Sequence, residues 1–227
     1  MNTQHHHLAQ YCADLVAATR YLVARQLNRN NSGNVSLRYG DSVLITPTGM
    51  LPEELTPSDI VQLDLSGAVM VDNNRLAGGR KPSSEWEMHL AVYRNRPDIN
   101  AVVHCHSRYA TILACAGKAI PSVHYMIASA GRASVPLAPY RLFGTAELAR
   151  VAADTLHEGY ACLLANHGQL TIAADLKTAL HLSEEIEEQA AVYWGTLAIG
   201  GPQLLSETQM TEALRQFAGY GQRGSDE

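Results

Sequence analysis

Three short stretches hold the residues best suited to metal chemistry. Glu85 closes Lys81-Pro82-Ser83-Ser84-Glu85, His104 and His106 lie in Val102-Val103-His104-Cys105-His106, and His167 lies in Ala165-Asn166-His167-Gly168. Alternate residues of a strand share a face, so His-x-His offers both imidazoles to one ion and turns Cys105 away. Two neighbouring buried imidazoles are costly without a partner. With a third histidine and a carboxylate they form a nitrogen/oxygen set suited to Zn²⁺ or another divalent ion. Taken singly, Glu85 is a helix first-turn carboxylate and His167 a turn residue; each gains a ligand reading from the company of the others. His5-His6-His7 could bind a second metal, but three adjacent histidines near a chain start read first as a solvated tail.

Anion-binding signals form a second group. Ser32-Gly33-Asn34, Thr46-Pro47-Thr48-Gly49 and Ser83-Ser84 each place hydroxyls or backbone N–H groups in a short turn. Such donors make nests for phosphate. Each is also an ordinary turn; three of them beside a metal set suggest one phosphorylated small substrate. The lysines argue against Schiff-base chemistry. Lys118 and Lys177 lack the buried setting that lowers an amine pKa, which leaves Lys81 as the one candidate near the site. No Gly-x-Ser-x-Gly, P-loop or Gly-x-Gly-x-x-Gly occurs. Metal chemistry is therefore the expected route for a carbonyl substrate.

The elements that must position these residues follow from periodicity and breakers. Apolar residues at helical spacing predict an opening helix over Leu8 to Leu27. Gly40-Asp41 joins a hairpin of Val35–Tyr39 and Ser42–Ile45. Two further strand-like runs lie between Ile60 and Val71, broken at Ser66-Gly67. A helix over Ser84 to Arg94 has Ser83 as its expected cap. Then come a strand at Ala101 to His106, a helix at Ser107 to Ala116, a short strand at Ala133 to Leu137 and a helix at Thr145 to His157. Strands at Ala161 to Ala165 and Leu170 to Ala173 flank His167. A long helix from Asp175 ends at Gly200-Gly201, and a last helix spans Ser206 to Phe217. Hairpins mixed with helical crossovers predict a three-layer α/β/α sandwich with a mixed, largely antiparallel central sheet. Residues 1–227 read as one domain.

Composition narrows the function classes. The formal net charge of −5 argues against nucleic-acid or membrane-surface binding. No apolar run approaches a membrane span, and the first ten residues lack an apolar signal core, so a cytoplasmic protein is expected. Four scattered cysteines without a CxxC read as reduced thiols.

Over nearly its whole length the chain resembles the class II aldolase/adducin family. The resemblance rests on Ser32-Gly33-Asn34-Val35-Ser36, Ile45-Thr46-Pro47-Thr48-Gly49, Pro82-Ser83-Ser84-Glu85-Trp86, Ala101-Val102-Val103-His104-Cys105-His106, Ile120-Pro121-Ser122-Val123-His124-Tyr125-Met126-Ile127-Ala128, Ala138-Pro139-Tyr140-Arg141-Leu142-Phe143-Gly144-Thr145 and His167-Gly168. It implies one Zn²⁺ per subunit on Glu85, His104, His106 and His167. It implies a phosphate held by Gly33, Asn34, Thr48, Gly49, Ser83 and Ser84. It implies a homotetramer with active sites between subunits, Tyr125 entering from a neighbouring copy, and Phe143 and Tyr220 shaping the aldehyde end. The implied reaction is reversible cleavage of a ketose 1-phosphate, with L-fuculose 1-phosphate the expected substrate, to dihydroxyacetone phosphate and a short aldehyde. Glu85 would be ligand and base in turn, and Tyr125 the proton donor to the aldehyde oxygen. Asn31 replaces a threonine of the family pattern. His-Cys-His-Ser-Arg-Tyr-Ala-Thr is also similar to the sister sugar-phosphate 4-epimerases. Those carry Asp in place of Glu85 and lack the His-Tyr-Met-Ile-Ala stretch, so this chain sides with the aldolases. A 4-epimerase or dehydratase, an aldolase for 5-deoxyribulose 1-phosphate, and a non-catalytic adducin-like interaction domain are the competing readings. The last would be expected to show a decayed ligand set.

Overall fold

The computed structural model describes residues 2–70 and 79–219, with side chains from residue 7 to residue 217. At its centre is one seven-stranded sheet of order β3-β2-β1-β4-β7-β6-β5. The strands are β1 (Asn34–Tyr39), β2 (Ser42–Ile45), β3 (Val61–Asp64), β4 (Ala101–Cys105), β5 (Leu137–Ala138), β6 (Ala161–Leu164) and β7 (Gly168–Ala173). Every pairing is antiparallel except β5 with β6. The expected mixed, largely antiparallel sheet is thus observed.

Alternation along β4 explains the layers. Ala101, Val103 and Cys105 point into a core shared with α1 (Asn2–Ala24) and α5 (Leu176–Ala198). Val102 points the other way, into a core shared with α2 (Trp86–Asn95) and α4 (Ala146–Leu156). A third cluster packs α3 (Arg108–Cys115), α6 (Glu207–Gly219) and the 3-10 segment Tyr125–Ala130 against β6 and α5. Helices therefore cover both faces of the sheet. Cys105 turns away from the histidines, as its odd position requires, and burial pushes its thiol up to about 12.

Local chemistry sets several boundaries. Asp175 caps α5 by accepting from Thr178 N at 2.8 Å, and Thr145 caps α4 through Leu148 N. Ser83 does not cap α2. Its own N–H donates to Thr46 O at 3.0 Å and Pro82 bridges Pro47, so the chain is still extended there; Glu85 takes the cap position. Among the described residues one strand stands where two were expected between Ile60 and Val71, and Val71 itself lies outside them. Asp64 Oδ1 accepts from the N–H groups of Ser66, Gly67 and Ala68, closing a turn, and Val69 beyond it forms an isolated bridge to Leu63. The strand expected over 133–137 falls instead at Leu137–Ala138, while Val135 bridges Ile120. The opening helix begins at Asn2, earlier than its apolar stripe. Among the described residues no helix is long and apolar enough to cross a membrane.

The central strands β4, β6 and β7 are buried along their whole length, so a truncation there reads out the sheet. Ile172→Ala on β7, where Ile172 is fully buried, is expected to cost about 2–5 kcal/mol in urea unfolding. A loss below about 1 kcal/mol would contradict the packing described.

Candidate metal centre

The sheet brings two of the four expected ligands together directly and the fold delivers the other two. His104 lies near the end of β4, opposite Asn34 of β1 on one side and Leu170 of β7 on the other. His106 follows the strand, its N–H donating to Asn28 Oδ1 at 2.9 Å. His167 sits in the β6–β7 turn after Asn166, whose left-handed φ of 56° is one that asparagine tolerates. Glu85 arrives from the start of α2. Two glycines make the approach possible. A Cβ on Gly33 would lie 2.6 Å from His104 O, and one on Gly168 would lie 2.5 Å from Cys105 O.

The four ligand atoms lie within 4.8 Å of one another. The imidazole rings stand 4.7–4.9 Å apart, centroid to centroid, at 69–75° to one another, like vanes about a common axis. Glu85 Oε2 lies 3.2 Å from His104 Nε2, and Oε1 lies 3.3 Å from His167 Nε2. His104 Nδ1 faces Gln169 O at 2.8 Å and so carries the proton, which leaves the Nε2 lone pair pointing inward. That lone pair meets His106 Nε2 at 3.0 Å. Glu85 Oε1 is buried and has no hydrogen-bond donor. Converging lone pairs beside an undonated carboxylate oxygen fit a divalent cation.

The strongest electrostatic coupling in the metal-free cluster is between His104 and Glu85. Burial opposes ionisation of Glu85, but His104, His167 and the Asn34 amide outweigh it and hold the carboxyl well below the usual carboxylate range. Burial also opposes a proton on His104, yet Glu85 draws its pKa upward. His106 is pushed down to about 3 and His167 to about 4, first by burial and then by repulsion from His104.

A cleft of about 340 Å³ opens onto this cluster. It gathers Gly33, Asn34, Thr48, Gly49, Ser83, Ser84 and Phe143 with Glu85, His106 and His167, so three turns far apart in the chain line one wall. His104 lies behind them, fully buried. Asn31, Ser32, Pro47, Tyr140, Arg141 and Asn166 also line the cleft without having been singled out as site residues. Asn31 and Ser32 flank a turn already read as an anion nest; for Arg141 no spacing signal existed. Tyr125 does not line the cleft of its own chain. It lies 54% exposed at the start of the 3-10 segment, its ring beside His124. Tyr220 lies outside the described residues. Lys81 is exposed. His7 is exposed on α1, while the side chains of His5 and His6 lie outside the described ones. A larger cavity of about 440 Å³ between Met126, Ile172 and Leu182 is mostly apolar and has none of the four ligands, so the chemistry belongs to the smaller cleft.

The family model for the class II aldolase and adducin N-terminal domain matches residues 13–194. The chain belongs to this family. It is 42% identical over 207 residues to the 5-methylthioribulose-1-phosphate/5-deoxyribulose-1-phosphate aldolase of Rhodospirillum rubrum, covering 91% of this chain and 90% of that one. It is 45% identical over 198 residues to the L-fuculose phosphate aldolase of Escherichia coli O6:H1, covering 87% and 89%. A solved L-fuculose 1-phosphate aldolase superposes with a TM-score of 0.87 at 37% identity, covering 92% of this chain and 96% of the other. With the Glu/His₃ cluster intact, this family member is a metal-dependent class II aldolase, an aldehyde-lyase.

The depressed histidines give the metal-free protein a defined response to acid. His89, His106 and His167 stay neutral when folded but bind protons near pH 6.5 when unfolded, so falling pH favours the unfolded chain. Glu85 acts in the same sense below the ordinary carboxylate range; His104, with a raised pKa, opposes it. Three depressed imidazoles outweigh one raised. The urea midpoint of chelator-treated protein should therefore fall steadily from pH 7 to pH 5, and a flat or rising midpoint would contradict this electrostatic picture.

Proposed function

We propose that this aldolase reversibly cleaves a ketose 1-phosphate, L-fuculose 1-phosphate first among them, into dihydroxyacetone phosphate and a short aldehyde. The product aldehyde would be L-lactaldehyde. The observation that carries the reading is the shared cleft, which Glu85, His106 and His167 line together with three turns rich in hydroxyl and N–H donors. Ser83 and Ser84, with the turns at Gly33-Asn34 and Thr48-Gly49, hold the phosphate. Glu85, His104, His106 and His167 hold Zn²⁺. A divalent ion bound there supplies Lewis-acid polarisation of the ketone and takes up negative charge in the transition state.

The remaining steps belong to side chains. In the condensation direction Glu85 takes a proton from C3 of dihydroxyacetone phosphate. That carbon attacks the aldehyde, and Tyr125 of a neighbouring copy in a homotetramer gives its proton to the new C4 oxygen. Cleavage runs the same steps backward. Phe143 and Tyr140 line the mouth of the cleft and suit an apolar terminus; Tyr220 is placed with Phe143 at this end by family resemblance. 5-Deoxyribulose 1-phosphate, which also ends in a methyl group, is the second reading, favoured by the similarity to the Rhodospirillum rubrum enzyme.

Release of dihydroxyacetone phosphate from a panel of ketose 1-phosphates, measured by coupled assay with and without chelator, tests the reading. L-Fuculose 1-phosphate should give the highest kcat/KM, and chelation should abolish turnover. Glu85→Gln should fold normally and lose about 10²–10⁴-fold in kcat. Undiminished cleavage after chelation, or near-normal Glu85→Gln turnover, would sink the assignment.

A further inference from the structure

Behind the metal cluster a helix and a strand run side by side with matched spacing. Glu85, His89 and Tyr93 recur at every fourth residue at and along α2, an advance of about 6 Å per step. Asn34, Ser36 and Arg38 recur at every second residue of β1, an advance of about 6.6 Å. The two series interleave into one chain of bonds. Asn34 Nδ2 donates to Glu85 Oε2 at 3.0 Å. Asn34 Oδ1 meets His89 Nε2 at 2.6 Å, and His89 Nδ1 meets Ser36 Oγ at 2.6 Å. Ser36 Oγ meets the Tyr93 hydroxyl at 2.9 Å. Arg38 closes the far end, donating to Tyr93 O with its guanidinium 5.0 Å from the Tyr93 ring centre. His89 and Ser36 have no exposed surface.

With His89 neutral, one arrangement of protons satisfies every link. A carboxylate only accepts, so Asn34 turns its amide nitrogen to Glu85 and its oxygen to His89. His89 Nε2 then carries the ring proton, Nδ1 accepts from Ser36, and Ser36 accepts from Tyr93. Burial keeps the imidazole neutral, holding its pKa down at about 3. Polar groups at this depth are costly unless all are paired, and apolar residues would pack the helix on the strand without that demand.

We propose that His89, backed by Ser36 and Tyr93, is a positioning residue for the aldolase: it locks the Asn34 amide, and through it the Glu85 carboxylate, in register with the three histidines. The proposal rests on Glu85 being a metal ligand and base. Zinc affinity by chelator competition needs no substrate, so a wrong substrate assignment leaves this test intact. At saturating zinc, His89→Leu should lower kcat about 10–100-fold with little change in KM, and zinc affinity should fall by a similar factor. His89→Gln keeps a donor within reach of Asn34 Oδ1 and should restore both to within about fivefold. A folded His89→Leu protein with a lowered Tm but wild-type zinc affinity and kcat would overturn the proposal. If that variant does not fold, Ser36→Ala decides, with about a 3–10-fold loss in both quantities expected and unchanged values fatal.

Discussion

Three imidazoles and a buried carboxylate converge here, with His104 Nε2 3.0 Å from His106 Nε2 and 3.2 Å from Glu85 Oε2, and a divalent cation satisfies all four groups at once. The rest of the molecule can be understood as the means of enforcing that convergence. β4 occupies the middle of the sheet, so His104 is fixed by strands on both sides. The β6–β7 turn delivers His167 and α2 delivers Glu85, each from a different part of the chain. The backbone approaches closely at Gly33 and Gly168, where no side chain would fit.

Burial makes the cluster responsive. In water the three imidazoles would be largely indifferent to one another; in this interior, protonating one pushes its neighbours' pKa values down. The same low dielectric strengthens the pull of any bound cation on a substrate oxygen. The cleft completes the arrangement by placing polar turns, with Phe143 and Tyr140, around the cluster. In the proposed function, a substrate with an anionic end and an adjacent carbonyl would meet both at once.

Much of this was legible before any coordinates. His-x-His needs only the two-residue strand period, and the hairpin of β1 and β2 needs only its Gly-Asp turn; both are local. The caps at Asp175 and Thr145 are local too. What escaped the sequence depends on partners distant in the chain. Ser83 has the right side chain for a cap, but its backbone is claimed by Thr46. Val69 has the right type for a strand and does pair, with Asp64 N–H donating to Ala68 O and Met70 N–H to Gln62 O, but the described residues stop at Met70 and leave only an isolated bridge. Tyr125–Ala130 gave no periodic signal because a short 3-10 segment, started by His124, has none. The Glu85/His89/Tyr93 series was visible as an every-fourth-residue pattern. Its meaning required knowing that β1 lies alongside.

The most direct measurement of the central claim is zinc-edge X-ray absorption on the zinc-loaded enzyme. The account predicts scattering from three imidazoles with the remaining first-shell ligands oxygen, at about 2.0–2.2 Å. A first shell holding sulfur at about 2.3 Å, or fewer than three imidazoles, would contradict it.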